Sequence, residues 1–180
     1  MNIATKAATA WILALSCSTA QAAPQGSIEC AALKMTPVQR ASFAAAITSP
    51  QEESSQKAAS EMSFLARDYA YQCAKVYKWN EAQIDTSTEY VANFAMRAYM
   101  KTQLKLSDAA VLKATAFVAE KKATLKTIET LTVKERATLL HKLTVYGVNW
   151  SGNSDTDYEK VLFINALLQL QDLQTKFAAG

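Results

Sequence analysis

Apolar residues along this chain recur at helical spacing, and the pattern breaks at cap and turn residues. Thr36-Pro37 puts a cap residue before proline at a first helical position, and "TPVQRASFAAAIT" follows. Pro50 precedes a long segment, roughly 51–78, with a stripe at Ala58, Met62, Leu65, Tyr69, Cys73 and Val76. Asn80 caps the next segment, whose inward face is read from Val91, Phe94, Ala95 and Ala98. Ser107-Asp108 opens another, carrying Val111, Ala114, Val118, Leu125 and Ile128. Thr132 starts a shorter one with Val133, Ala137, Leu140 and Leu143. The stretch "YGVNWSGNSDTDYEK" is the obvious loop, with Gly147, Gly152 and a cluster of Asn, Ser and Asp. A final helix, from about Asp155 to Phe177, carries Phe163, Ala166, Leu167, Leu170 and Leu173. Val161, Leu162, Ile164 and Leu168 make its first half apolar on more than one face, which places it centrally.

The pattern predicts an all-α, single-domain bundle of five or six helices over residues 23–180. Composition agrees. Half of the chain is apolar, and Gly and Pro, four and three in number, are too few to punctuate a strand-rich fold. A core of this size needs neither a metal nor oligomerisation.

Residues 1–22 read as a signal peptide. Lys6 is the one charge before a short apolar run, Ala10 to Leu15, and Ala20-Gln21-Ala22 forms an A-x-A cleavage site. The run is too short to span a bilayer, which takes about 20 apolar residues. The mature chain then begins near Ala23 and has no transmembrane helix, which makes the protein periplasmic or secreted. The alternative is a lipid anchor on Cys17. Lipoprotein signals place Leu three residues before the cysteine and a small residue two before, where this chain has Ala14 and Leu15.

Loss of Cys17 leaves Cys30 and Cys73. An even count in an exported chain predicts a disulfide. Without C-x-x-C spacing, the pair has neither a redox motif nor a metal-site pattern. Cys30 lies in a short segment ahead of Pro37 with few other expected anchors, so the bridge is read as tethering an N-terminal arm.

Charge narrows the function classes. The net charge is +3, of which Lys6 supplies one, and Lys121-Lys122 is the densest basic run. Nucleic-acid binding lacks an electrostatic basis. The one histidine, His141, excludes multi-histidine metal sites and limits histidine-based triad chemistry to that one position. It reads as a boundary residue of its helix. The run Asn153-Ser154-Asp155-Thr156-Asp157-Tyr158-Glu159 begins like a calcium loop. It then has Tyr158 where such a loop needs Gly and Ile164 where it needs a bidentate Glu. Asp155 and Asp157 suit a helix cap equally. Tyr69, Tyr71, Tyr77 and Trp79 could line a ligand surface, but aromatics at helical spacing are read first as core. No catalytic, cofactor-binding or metal-binding residue is assigned, and no cofactor is expected.

Two short motifs carry one resemblance. Met35-Thr36-Pro37-Val38-Gln39 and Leu131-Thr132-Val133-Lys134-Glu135 are similar to the paired Leu-Thr-x-x-Gln motifs of periplasmic chaperones of the Spy and CpxP type. Met replaces Leu in the first and Glu replaces Gln in the second. The resemblance implies a client-binding cradle that works without ATP. The same residues also read as capping boxes, which any helical protein can carry. The expected function is therefore a non-enzymatic binding or interaction module for a protein or small-molecule partner. An ATP-independent chaperone is the alternative, and an enzyme of unrecognised class is third.

Overall fold

The computed structural model describes residues 26–49, 52–122, 125, 131–150 and 157–180. Among the described residues there are seven helices and no strand. They are α1 (Cys30–Lys34), α2 (Pro37–Thr48), α3 (Glu53–Tyr77), α4 (Glu81–Gln103), α5 (Asp108–Lys121), α6 (Val133–Val145) and α7 (Asp157–Ala179). The all-α class holds, but the expected count of five or six does not. The extra helix is α1, whose five residues are too few for apolar periodicity to register. Helices this short depend on tertiary packing rather than propensity. The signal-peptide and cleavage residues, 1–22, lie outside the described residues.

The helix starts are built as the caps require. Thr36 with Gln39, Asn80 with Gln83 and Thr132 with Glu135 each form a reciprocal capping box, and Ser107 accepts from the Ala110 amide. One boundary differs from expectation. Helix α5 ends at Lys121, so Leu125 is buried outside any helix, its amide donating to the Lys121 carbonyl. Ile128 lies outside the described residues.

The core has two clusters joined by α4 and α7. The C-terminal half of α4 packs with α5, α6 and the first half of α7 around Met100, Leu104, Phe117, Leu143, Phe163 and Leu167. Its N-terminal half packs with α1, α2, α3 and the end of α7 around Phe43, Cys73, Tyr90, Val91, Leu170 and Phe177. The central position expected of α7 is observed, and α4 shares it.

Helix α3 turns inward the expected stripe as far as Cys73, with Met62, Leu65 and Tyr69 packed against the core. Its fully buried line runs beside that stripe along small residues. Ala66, Ala70, Cys73 and Ala74 are buried, whereas Met62, Leu65 and Tyr69 are half-buried and Val76 is 70% exposed. Small side chains let α3 approach its neighbours closely, so the alanines mark the interface. In α6 the buried residues are Leu139, Leu140 and Leu143, while Val133 and Ala137 face solvent.

Cys30 and Cys73 stand at disulfide distance, with Cα atoms 6.2 Å apart. The segment holding Cys30 is not a loosely anchored arm. Ile28, Ala31, Ala32 and Met35 are buried. Ser87 Oγ donates to the Ile28 carbonyl at 3.0 Å, and the Tyr90 hydroxyl donates to Glu29 Oε1 at 3.1 Å. Burial, reinforced by the Glu29 charge, raises the Tyr90 pKa and keeps the phenol protonated as a donor. A Cβ on Gly26 would fall about 2.1 Å from the Tyr77 ring, so only glycine fits there. These contacts were invisible in sequence because their partners lie on α3 and α4.

Candidate functional site

The turn between α4 and α5 shapes the candidate contact surface. At its start, Lys105 adopts the left-handed conformation with φ 51°. Its amide donates to the Thr102 carbonyl, and the Leu106 amide donates to the Lys101 carbonyl. This ends α4 in a Schellman motif and buries Leu104 and Leu106 on either side. The chain therefore reverses tightly and lays the first turn of α5 beside the last turns of α4. Lys101 Nζ meets Asp108 Oδ1 at 2.5 Å across the reversal.

A groove of about 400 Å³ lies along this junction. Phe94, Ala98, Val111 and Leu112 supply its apolar surface, and Arg40 of α2 closes one side. A second depression, about 380 Å³, continues along α4 past Tyr99 to Gln103 and shares Arg40 and Ala98 with the first. Phe94 is the focal ring. The Arg97 guanidinium carbon lies 4.6 Å from its centroid and that of Arg40 5.7 Å, both within cation–π range. Arg97 comes from the next turn of the same helix. Arg40 is held by α1, since its Nη1 donates to the carbonyls of Ala32 at 3.1 Å and Met35 at 2.5 Å.

The groove is basic. Its cations are Arg40, Arg97 and Lys101, and its carboxylate is Asp108. The hydrogen bond and charge of Lys101 lower the Asp108 pKa, so that carboxyl stays ionised and paired. Among the described residues, no carboxylate lies within ion-pairing distance of Arg97. The surface can therefore accept an apolar group and a negative charge together.

The residues singled out in sequence are dispersed. Cys30 and Cys73 come together. His141 is exposed on α6. Asp157 begins α7 and pairs with Lys160 at 3.5 Å, while residues 153–156 of the calcium-like run lie outside the described residues. Trp79 is buried edge-on against Phe177, with ring centroids 4.9 Å apart, and Tyr77 stacks on Trp79. Tyr71 is exposed, donates to Glu81 Oε2 and accepts from Arg67. Both motifs of the chaperone resemblance are occupied as capping boxes. Among the described residues, no group of His, Cys, Asp and Glu is arranged to hold a metal ion, and no helix is long and apolar enough to cross a membrane.

Sequence reasoning missed the groove. The spacing of Phe94, Arg97 and Lys101 on one face of α4 was the available signal, but Arg40 joins them only through the packing of α2 on α4. No protein family, curated protein or solved structure matches this chain.

Proposed function

We propose that the protein is an exported, non-enzymatic binding module whose contact face is the groove between α2, α4 and α5. The observation that carries this reading is the Phe94 ring with Arg40 and Arg97 over it, beside the 70% exposed Leu112. An apolar floor under fixed cations is a recognition surface, since aromatic and Arg residues contribute most of the energy at binding faces. The leader pattern and the cysteine pair at disulfide distance support export. A client-holding chaperone is the second reading, favoured by the openness of the same basic-rimmed apolar surface. An enzyme is third, because Asp108, the carboxylate of the groove, is paired with Lys101.

Amide chemical-shift mapping tests the contact face. Isotope-labelled protein is titrated with an unlabelled extract of the compartment it is exported to. Shifts should cluster on Phe94, Ala98 and Val111 and should saturate. Shifts elsewhere, or steady conversion of an extract metabolite, contradict the reading. A surface that never saturates and suppresses aggregation of unfolded proteins selects the chaperone. Intact mass of the exported protein tests the address. A mature chain beginning near Ala23 supports it, and a diacylglyceryl mass on Cys17 selects the lipid anchor.

A further inference from the structure

We infer that the groove takes an acidic peptide segment, with one apolar side chain on Phe94 and a neighbouring carboxylate on Arg97. This rests on the binding reading above and adds the class of partner. Charge sets the sign. Asp108 already neutralises Lys101, which leaves Arg40 and Arg97 as the surplus. Arg97 is half-buried against an aromatic face yet has no carboxylate partner among the described residues. A guanidinium so placed is preorganised to take a carboxylate in two parallel hydrogen bonds.

Shape sets the class. The two depressions run along α4 from Phe94 to Gln103, about 14 Å at 1.5 Å per residue. That length matches about four residues of extended peptide. Small-ligand sites enclose most of the ligand's surface. This trough is open on one side and floored by the half-buried Ala98, where a peptide backbone can lie close. Leu112 on the far wall is the apolar area that such a segment would cover.

The test uses capped peptides of about ten residues alternating Glu and Leu, Gln and Leu, or Lys and Leu, with dodecanoate as a free anionic amphiphile. The Glu-Leu peptide should bind the full mature chain about tenfold tighter than the Gln-Leu peptide, and the preference should fall with added salt. Arg97→Gln should abolish that preference, and Arg97→Lys should restore part of it. Equal affinity for the Glu and Gln peptides, or an unchanged preference in Arg97→Gln, overturns the acidic assignment. Tighter binding of dodecanoate than of any peptide overturns the peptide class. If the extract titration still maps to Phe94 and Ala98, the contact face survives either failure. If no probe binds, the inference falls, and the same extract titration decides the face on its own.

Discussion

The Arg40 side chain donates to the main-chain oxygen of Met35 at 2.5 Å, at the point where α1 ends. The same guanidinium lies over Phe94 in the groove. Arg40 therefore joins the element carrying Cys30 to the candidate contact face. Its positive charge lies beside the last carbonyls of α1, where a cation complements the helix end. Removing the side chain should free those carbonyls and loosen the rim together.

Arg40→Ala should accordingly destabilise the fold by about 1–3 kcal/mol, the scale of hydrogen bonds made by a charged donor. Arg97→Gln should cost less, no more than about 1 kcal/mol, because what it loses is the cation–π contact with Phe94. Urea denaturation of both variants checks the contrast. Equal losses would mean that Arg40 has no anchoring role.

The cysteine pair closes 43 positions of chain. The chain-entropy model gives an upper bound of about 4 kcal/mol for such a closure. Cys30→Ser/Cys73→Ser should remain helical and cooperative but melt lower, because Ala31, Ala32 and Met35 still hold α1 in the core. Circular dichroism with a thermal melt checks this. Free-thiol titration of denatured, unreduced protein freshly isolated from cells checks the bond itself, and two titratable thiols at Cys30 and Cys73 would refute it.

Ala70 is fully buried where α3 meets its neighbours, whereas Val76 is 70% exposed. Ala70→Leu should cost about 1–3 kcal/mol through overpacking. Val76→Ser should change stability by no more than about 0.5 kcal/mol. The reverse order would extend the inward stripe to Val76.

The α6 start should be sensitive to acid. Hydrogen bonds from the Thr132 side chain and backbone lower the Glu135 pKa below its ordinary value. A depressed carboxyl contributes stability that is present above its unfolded pKa and is lost as pH falls through the folded one. The Thr132 and Glu135 amide signals should therefore hold steady above the ordinary glutamate range and move together below it. In Glu135→Gln that shared transition should vanish. An unchanged transition in the variant would assign it to another carboxyl.

Much of the fold was legible because its signals are local. Thr36, Asn80, Ser107 and Thr132 each cap the helix they announce, and the apolar surround of α7 marked it as central. What failed to register depends on contacts between distant segments. Helix α1 holds together because Ser87 and Tyr90 of α4 bond to it. The fully buried line of α3 is made of small residues, whose meaning comes from how near the neighbouring helix lies. The groove needs Arg40 on α2 to meet Phe94 on α4, and no periodicity within either segment encodes that meeting.

Photocrosslinking in the native compartment tests the contact face most directly. A photoreactive residue replaces Leu112 in the groove, or Phe64 or Val133 elsewhere, all three being exposed apolar positions. The account predicts a discrete adduct from position 112 that weakens when Arg97→Gln is added, and none of comparable yield from positions 64 and 133. Equal adducts from all three positions, or a position-112 adduct indifferent to Arg97→Gln, would contradict it.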